Sequence, residues 1–321
     1  MENMAELNGK KILVTGGAGF IGGHLVEELI NLGATVTVVD IAIDKSSYLI
    51  TQGLANKTNF VLCDIRSYEK VYEIIEQGNF DYIVHLAAQT LVQPAFRNPR
   101  ETFETNILGT INVLEAARVL KITGIIVASS DKAYGESTTA YTENTPLNGR
   151  NVYDSSKSSA DLITQTYYNN FRLPVIITRC GNVYGQGDLN KGRIVPDMCN
   201  AIMSKKTLKI RSNGKYTRDY VYVKDVVSAY IFLLKNFDKN AGQAFNVSSQ
   251  ESYSVLELVR LAQRTLKVKI PYKILNVAKH EIVSQHLNDK KIRALGWKSK
   301  YTFEDKISEI VEWYKNLDSN Q

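Results

Sequence analysis

The chain has 321 residues, of which 44% are hydrophobic, and its formal net charge at neutral pH is +6. This length is enough for one large or two small domains with a buried core, and no apolar run approaches the roughly 20 residues of a membrane span. Because no run of Lys and Arg is interleaved with aromatic residues, the positive excess suits a small anionic ligand better than nucleic acid.

Short apolar runs alternate with amphipathic stretches through the first half of the chain. Strands are predicted at residues 11–15, 34–40, 60–63, 82–86, 124–129 and 174–178, and helices at residues 20–32, 99–120 and 152–171. Strands that alternate with helices imply right-handed crossovers and a parallel sheet buried on both faces. We therefore predict an α/β fold built on a doubly wound parallel sheet, with a ligand crevice at the carboxyl ends of the strands.

A glycine-rich segment, residues 15–22, lies between the first predicted strand and the first predicted helix. It satisfies Gly-x-Gly-x-x-Gly from Gly17 and Gly-x-x-Gly-x-x-Gly from Gly16. Glycines allow a tight turn and let the backbone approach a pyrophosphate, whose charge the helix N-terminus favours. The flanking strand and helix favour a dinucleotide-binding loop over a glycine turn that binds nothing.

Asp40 ends the second predicted strand, near the expected distance of about 20 residues after the loop. A carboxylate there can accept hydrogen bonds from both ribose hydroxyls and repels a 2′-phosphate. No Arg follows in residues 41–46, although Lys45 does. The sequence therefore predicts NAD as the cofactor rather than NADP, the alternative being an Asp that only caps a helix. Asp64, at the end of the third predicted strand, could similarly meet the adenine edge.

Two groups of residues have the chemistry of an active site. Ser130, Asp131 and Lys132 follow the fifth predicted strand at the crevice edge, where Asp131 and Lys132 form either an acid/base pair or a solvated ion pair. Tyr153 and Lys157 are four residues apart, on one face of a helix. A phenol normally titrates at about 10, and a neighbouring ammonium with a cationic nicotinamide would favour its ionised form. Tyr153 is therefore the predicted base for oxidation of an alcohol. The alternative is that Tyr153 and Lys157 are ordinary surface residues.

The strand–helix alternation ends near residue 180, and later elements are irregular and interspersed. We predict a dinucleotide-binding domain over residues 1–180 and a smaller mixed α/β substrate lobe over residues 181–321, with some segments returning to the first domain. Cys63, Cys180 and Cys199 are far apart and are predicted to be reduced thiols of a cytoplasmic protein. The four histidines have no ligand spacing, so no metal is predicted, and the polar start of the chain is not expected to be a secretory signal.

Motifs along nearly the whole chain resemble those of the extended short-chain dehydrogenase/reductases that act on nucleotide sugars, which have a Rossmann domain. They are TGGAGFIG at 15–22, HLAAQ at 85–89, NILGTINVLEAA at 106–117, SSDKAYG at 129–135, YDSSK at 153–157, TRCGNVYG at 178–185, RIVP at 193–196, TRDYVYVKDVV at 217–227 and LGW at 295–297. Two positions depart from the common pattern, Ala95 in place of a small hydroxyl residue and Asn288 in place of Asp.

The resemblance implies roles for individual residues. It implies a catalytic set of Ser130, Asp131, Lys132, Tyr153 and Lys157. It implies that NAD is bound by Gly16, Gly19, Phe20, Ile21, Gly22, Asp40, Asp64, Ile65, Leu86, Ala87, Ala88, Asn106 and Ser129, together with Tyr153 and Lys157. It places Gln89, Asn182, Arg193 and Arg218 at a nucleotide-diphosphate sugar, whose pyrophosphate suits charge-assisted bonds from arginine. It also implies a homodimer through the helices at residues 99–120 and 152–171.

The Asp131-Lys132 pair narrows the resemblance to sugar 4,6-dehydratases, most of all those acting on CDP-glucose. In the implied mechanism Tyr153 removes the C4 hydroxyl proton, Lys157 lowers the pKa of Tyr153, and Ser130 orients the shared proton. Lys132 then removes the C5 proton, while a protonated Asp131 donates to the leaving C6 hydroxyl.

Three alternatives to the 4,6-dehydratase stay open. The first is a 4-oxidase and 5-reductase acting on a 5,6-ene derived from a UDP-N-acetylhexosamine, as in nonulosonic sugar synthesis, which uses the same residues. The second is a 4-epimerase, which needs no acid/base pair besides the serine and tyrosine. The third is a non-catalytic dinucleotide sensor, which would need neither Tyr153 nor Lys157.

Overall fold

The computed structural model describes residues 7–277 and 282–319. The strands among these residues are β1 Lys11–Thr15, β2 Thr35–Asp40, β3 Asn59–Leu62, β4 Tyr82–His85, β5 Gly124–Ala128, β6 Val175–Cys180, β7 Asn182–Tyr184, β8 Leu208–Ile210, β9 Thr217–Tyr222, β10 Ala244–Val247, β11 Ser252–Ser254, β12 Tyr272–Ile274 and β13 Ser284–Gln285. The α-helices are α1 Phe20–Asn31, α2 Tyr48–Thr51, α3 Tyr68–Gly78, α4 Val92–Arg97, α5 Pro99–Phe103, α6 Gly109–Val119, α7 Val152–Phe171, α8 Ile194–Ser204, α9 Val223–Lys235, α10 Phe237–Asn240, α11 Val255–Leu266, α12 Lys290–Ala294 and α13 Phe303–Ser319. Short 3₁₀ turns cover Ala55–Lys57 and Asp131–Tyr134.

A seven-stranded parallel sheet forms the first lobe, in the order β10-β6-β5-β4-β1-β2-β3. The chain runs outward from β1 in one direction through β2 and β3, then restarts on the other side at β4. The connections that follow β1 and β4 therefore run to opposite faces of the sheet. A crevice opens between the carboxyl ends of these two strands. The predicted doubly wound α/β fold is confirmed.

Side chains of the strands alternate between two cores, one on each face of this sheet. On β1, Ile12 and Val14 are buried against α1 and α9, whereas Leu13 is buried against α3 and α6. This alternation follows from the period of two in a strand, and burial on both faces explains the nearly continuous apolar runs in the sequence. Packing against helices on both faces therefore fixes the sheet whose carboxyl edge forms the crevice.

The second lobe lies at the carboxyl edge of the sheet and has its own core. Strand β9 pairs with β7, β11 and β13, and β8 pairs with β12 in a separate ribbon. Helices α8, α11 and α13 cover this core with side chains such as Met198, Leu258 and Ile310. Strand β10 lies on the edge of the first sheet, although it follows β7 to β9 in the chain.

One predicted helix differs in its detail. Residues 99–120 form α5 and α6 joined by a π-helical turn, Glu104–Leu108. A π turn adds one residue to the helix and rotates a side chain out of the regular stripe, and here Asn106 is buried within it. Among the described residues, no helix is long and apolar enough to cross a membrane, and all three cysteines are free and buried.

Candidate active site

The glycine loop packs against the chain that leaves β4. Gly16 has a φ of +70°, and a Cβ there would lie 2.7 Å from the Ala87 backbone nitrogen. A Cβ on Gly22 would lie 2.2 Å from the Gly16 carbonyl oxygen. Both contacts are with backbone, so neither can be relieved by a side-chain movement.

The start of α1 provides the anion-binding end of the loop. Gly19 is the N-cap of α1, and Phe20 and Ile21 begin the helix, whose first turn contains no acidic residue. Its unpaired N–H groups and helix dipole therefore favour a pyrophosphate without competition from a neighbouring carboxylate. These features, with the close backbone approach at Gly16, fit a dinucleotide.

Asp40 lies where the second strand meets the glycine loop. Its two carboxylate oxygens accept hydrogen bonds from the Ile41 N–H at 2.8 Å and the Ala18 N–H at 3.1 Å. Burial raises the pKa of Asp40, and these backbone bonds oppose that rise. Backbone groups thus hold the carboxylate beside the glycine loop, where the sequence predicts that it accepts ribose hydroxyls.

Asp64, which the sequence predicts at the adenine side, has a side-chain partner in its own loop. Arg66 donates from Nε to the Asp64 carboxylate at 2.8 Å, and this hydrogen bond is the main reason that the pKa of Asp64 is lowered. Arg66 thus occupies part of the Asp64 carboxylate, so fewer of its lone pairs are open to an adenine edge. Ile65 is buried against Gly109 of α6.

Asn106 of the π turn holds the loop that follows β4, which contains Leu86, Ala87 and Ala88. Asn106 accepts the Gln89 backbone N–H at 2.7 Å and donates to the Gln89 carbonyl at 3.0 Å and to Ser156 Oγ at 2.8 Å. Through these bonds, Asn106 connects the loop after β4 to helix α7.

Gln89, a predicted substrate-binding residue, forms hydrogen bonds within its own loop. Its side chain accepts the Leu91 N–H at 2.5 Å and donates to the Leu91 carbonyl at 3.1 Å. The amide is satisfied locally because a loop residue two positions on offers both a donor and an acceptor. No sequence pattern distinguishes this from a ligand-facing glutamine.

The 3₁₀ turn after β5 brings the predicted acid/base pair together. Lys132 Nζ lies 2.9 and 2.8 Å from the two Asp131 oxygens, and 3.4 Å from Asn182 Oδ1 on β7. The Asp131 side chain is 3% exposed and that of Lys132 is 22% exposed. This is therefore a largely buried ion pair at the crevice and not a solvated loop pair.

Serine hydroxyls border this turn. Ser130 Oγ caps it by accepting the Lys132 N–H at 3.2 Å and lies 3.1 Å from an Asp131 oxygen. Ser129 Oγ, one residue earlier, is buried without a hydrogen-bond partner among the described residues. A buried hydroxyl without a partner is uncommon, which is consistent with a position facing a ligand site.

Tyr153 lies at the start of α7, near Ser130, Asp131 and Arg193. Burial raises its pKa to about 12, while the charge of Arg193 and a hydrogen bond with Ser130 act in the opposite direction. The expected depression of this pKa by Lys157 is not what the structure shows. The groups that favour the ionised phenol come from the turn after β5 and from the second lobe.

Lys157 has a different immediate partner. Its Nζ donates to the Ala128 carbonyl oxygen at the end of β5 at 2.8 Å. Burial lowers the pKa of Lys157 to about 8, because a buried ammonium loses its hydration. The lysine therefore remains mostly charged at neutral pH and is anchored to the end of β5, two residues before Ser130.

The two predicted arginines approach from the second lobe. Arg193, the N-cap of α8, pairs with Asp188 at 3.2 Å, and its side chain is 40% exposed. Arg218 donates to the Thr217 carbonyl at 2.8 Å and lies close enough to Asp154 to lower that residue's pKa. Both guanidinium groups keep free donors, as diphosphate binding requires.

Asp154 was not among the residues singled out by sequence. It is 4% exposed, and burial raises its pKa to about 6, with a further rise from Asp131. An acidic residue in the first turn of a helix is ordinarily explained by its favourable interaction with the helix dipole. Its position next to Tyr153 therefore does not by itself predict a role at the site. The signal in the sequence is the carboxylate of Asp154 inside the Tyr-x-x-x-Lys segment.

The structure thus gathers Ser130, Asp131, Lys132, Tyr153 and Asn182 around one crevice that borders the glycine loop. A buried phenol beside a serine hydroxyl can exchange a proton with an alcohol. The separate Asp131–Lys132 ion pair can exchange protons with neighbouring atoms of the same alcohol molecule. This combination suits oxidation at one carbon followed by proton transfer at the next.

Comparison with known proteins agrees with this geometry. The model of the NAD dependent epimerase/dehydratase family matches residues 12–248. The dTDP-D-glucose 4,6-dehydratase of Dictyostelium discoideum is 29% identical over 98% of this chain and 84% of its own length. A putative UDP-glucose 4-epimerase of Methanocaldococcus jannaschii is 33% identical over 95% of this chain and 98% of its own length.

A solved structure is similar over the same extent. It is the dTDP-glucose 4,6-dehydratase of Bacillus anthracis in complex with NAD, with a TM-score of 0.85 and 28% identity. The similarity covers 97% of this chain and 98% of that one. Both lobes are therefore shared, including the segments that line the crevice.

Proposed function

The chain belongs to the NAD-dependent epimerase/dehydratase family, and we propose that it is a 4,6-dehydratase acting on a nucleotide-diphosphate hexose. The observation that carries this choice is the buried Asp131–Lys132 ion pair, which adjoins Ser130 and Asn182. A redox site that only inverts C4 needs no such pair. The carboxylate and the ammonium supply the two proton transfers that loss of water across C5 and C6 requires.

NAD, when bound, would supply the hydride-transfer chemistry at C4. The residues that would hold it are the glycine loop around Gly16, the N-terminus of α1 and Asp40. The backbone contacts at Gly16 and Gly22 leave no room for a Cβ and so keep the loop close to a pyrophosphate. The Asp40 carboxylate would select the ribose without a 2′-phosphate.

Tyr153 removes the proton of the C4 hydroxyl in this proposal. Its pKa of about 12 means that free phenolate is scarce at neutral pH, so proton removal occurs together with oxidation at C4. Ser130 hydrogen bonds the phenol and shares the proton. Lys157, one turn further along α7, donates to the Ala128 carbonyl and so fixes the helix that carries Tyr153 against the end of β5.

The Asp131–Lys132 pair then acts on the C4 ketone. Its ion-paired form holds one transferable proton on Lys132. Movement of that proton along the 2.8 Å hydrogen bond gives a neutral amine and a carboxylic acid. The amine removes the C5 proton and the acid protonates the departing C6 hydroxyl, so the pair gains one proton, loses one and releases water.

Arg193 and Arg218 bind the diphosphate in this proposal, together with Asn182. Arg193 would exchange Asp188 for a phosphate oxygen, which is favourable because a diphosphate offers bidentate acceptors. Because Arg193 also favours ionised Tyr153, substrate binding and the C4 step are electrostatically linked.

A second candidate, a nucleotide-sugar 4-epimerase, is favoured by the identity with the putative Methanocaldococcus jannaschii UDP-glucose 4-epimerase. Such an enzyme uses Ser130 and Tyr153 and leaves C5 and C6 unchanged. Reduction of a 5,6-ene of a UDP-N-acetylhexosamine would use the same residues as the dehydratase but consume a different substrate.

One experiment separates these reactions. The purified enzyme is incubated with a panel of CDP-, dTDP- and UDP-hexoses and UDP-N-acetylhexosamine-derived 5,6-enes, and products are read by mass spectrometry and NMR. Loss of one water from a hexose is the expected result. An isomer of unchanged mass supports the epimerase, conversion of only the 5,6-ene supports the reductase, and no reaction at all contradicts the proposal.

We also propose that two copies of the chain associate through the helices beside the π turn. Phe103 and Leu108 are exposed there, as are Leu162 and Phe171 on the adjacent helix α7. Apolar side chains grouped on neighbouring helices are typical of a contact surface. Pairing of two copies would bury them in a four-helix contact.

A further inference from the structure

A series of buried hydrogen bonds runs through His85, a residue that the mechanism above does not use. His85 is the last residue of β4 and is buried. Its Nδ1 lies 2.7 Å from the Thr15 hydroxyl oxygen, and its Nε2 lies 3.0 Å from the Thr110 hydroxyl oxygen. Thr15 ends β1 at the glycine loop, and Thr110 lies in α6 just after the π turn. The imidazole therefore connects the start of the glycine loop to the helix beside the π turn.

Both hydroxyl groups have a second partner. Thr110 Oγ1 donates to the Asn106 carbonyl oxygen at 2.7 Å. Thr15 Oγ1 accepts the Ala87 N–H at 3.4 Å, and the Thr15 carbonyl accepts the Leu86 N–H at 3.0 Å. Because the side chain of Asn106 binds the far end of the same loop, Thr15 and Asn106 together hold the segment that follows β4 at both of its ends.

The series continues from the π turn to the helix that carries Tyr153. Asn106 Nδ2 donates to Ser156 Oγ at 2.8 Å, and Ser156 Oγ donates to the Tyr153 carbonyl oxygen at 2.7 Å. Every side chain in the series is buried. We call this set the His85 chain, and it consists of Thr15, His85, Thr110, Asn106 and Ser156. It joins the backbone of the glycine loop to the backbone of Tyr153.

The direction of the His85 chain follows from the number of protons available, since a hydroxyl group has only one. The 2.7 Å contact between Thr110 Oγ1 and the Asn106 carbonyl needs the threonine proton, because two oxygens without a proton between them repel at this distance. Thr110 must then accept from His85 Nε2, so that His85 Nδ1 accepts from Thr15. Burial lowers the pKa of His85 to about 3, and the charge of Lys157 acts in the same direction, so the ring is neutral at neutral pH.

We propose that His85 is a positioning residue that couples the NAD-binding glycine loop to Tyr153 through the His85 chain. The inference rests on one part of the proposed function, oxidation at C4 with NAD and Tyr153, which the dehydratase and the epimerase have in common. Loss of any link leaves a buried donor or acceptor without a partner and loosens both ends of the chain. NAD affinity and the rate of C4 oxidation should therefore fall together.

The competing explanation is that these groups only satisfy one another within the core. Buried polar groups are nearly always paired, whatever their role. Such pairing predicts that loss of a hydroxyl group lowers the free energy of unfolding and leaves NAD affinity unchanged. It also predicts that losses at the two ends of the chain act independently.

Nuclear magnetic resonance of the NAD-loaded enzyme with isotopically labelled histidine tests the direction of the chain. The signals of His85 are assigned by their absence in His85→Gln, or by replacing each of the other three histidines if that variant does not fold. The expected result is a neutral ring with its proton on Nε2. A proton on Nδ1 would overturn the inference, because Thr110 would then give its proton to the ring and the chain would break before Asn106. A charged ring would overturn it as well.

Thr110→Val removes one hydroxyl group from the middle of the chain with little change in volume. NAD affinity in calorimetric titrations and the rate of C4 oxidation in stopped-flow absorbance should each fall about 10-fold, because the buried His85 N–H loses its acceptor. Thr164→Val is the matched control, since Thr164 is a buried residue of α7 that donates to the Ala160 carbonyl at 2.7 Å and lies outside the chain. It should change neither quantity. Unchanged NAD affinity in Thr110→Val would overturn the inference.

A double-mutant cycle tests whether the two ends of the chain are coupled. Thr15→Val breaks it at the glycine loop, and Ser156→Ala breaks it at Tyr153. If the chain acts as a unit, the double variant should lose about 10-fold in NAD affinity, as each single variant does, whereas independent contacts would give about 100-fold and overturn the inference. If the wild type oxidises no nucleotide sugar, the proposed function fails, and the NAD affinities and the position of the histidine proton still decide the role of His85.

Discussion

Replacing Lys157 with methionine should make the protein more stable and less active at once. The buried ammonium has a pKa of about 8, against an ordinary value of 10.5. This difference corresponds to about 3 kcal/mol of destabilisation, fully present below pH 8, where the folded protein must keep the charge buried. It disappears as the pH rises from 8 toward 10.5, because the unfolded chain then loses the proton as well.

Methionine fills a similar volume without the charge, but it leaves the Ala128 carbonyl without its 2.8 Å donor. A buried carbonyl left without its donor costs about 1–3 kcal/mol, so the free energy of unfolding at pH 7 should rise by up to about 2 kcal/mol. Urea unfolding of the NAD-free protein, followed by circular dichroism at pH 7 and at higher pH, measures this gain. The gain should shrink at the higher pH.

The same variant should oxidise C4 about 10²- to 10⁴-fold more slowly, because α7 loses the bond to the end of β5 that positions Tyr153 for proton transfer. Stopped-flow absorbance of reduced nicotinamide at saturating NAD measures this step. Lys291→Met is the matched control, since Lys291 also donates to a strand carbonyl, Ala244, at 2.9 Å and has a pKa lowered by burial. It lies at the far edge of the sheet and should not affect oxidation. A Lys157→Met protein that oxidises C4 at the wild-type rate would refute the reasoning.

Other predictions follow from single contacts. Asp40→Ser should weaken NAD binding and reduce the preference over NADP in calorimetric titrations, and equal affinity of the wild type for both cofactors would show that Asp40 does not select. Gly22→Ala should abolish NAD binding by the same method, because its Cβ would lie 2.2 Å from the Gly16 carbonyl oxygen. Leu162→Glu should convert a dimer to a monomer in light scattering at micromolar concentration, and a monomeric wild type would rule out the proposed helix contact.

The features that could be predicted from sequence are those set by neighbours in the chain. Alternation on β1 and the glycines of the loop act within a few residues, so they predicted the sheet and the pyrophosphate end of the site. Helix α7 begins and ends at the predicted residues because Asn151 caps it and Arg172 closes it in the left-handed conformation. Local chemistry was sufficient in each case.

The features that could not be predicted depend on residues distant in the chain. The pKa of Tyr153 is set by its burial and by Arg193, which lies on the second lobe. Asn106 is turned inward by a π turn that helical periodicity does not indicate. The amide of Gln89 bonds to the backbone of Leu91, and no sequence pattern predicts that local bond.

The central claim is that two groups of residues serve two chemical steps, and the variant Asp131→Asn with Lys132→Ala tests it most directly. Ser130, Tyr153 and Lys157 are unchanged in this enzyme, so C4 oxidation should still occur after substrate is added. Reduced nicotinamide should therefore accumulate, while the product that has lost water should not form. Formation of that product at the wild-type rate would contradict the account, because the buried ion pair would then have no part in the reaction.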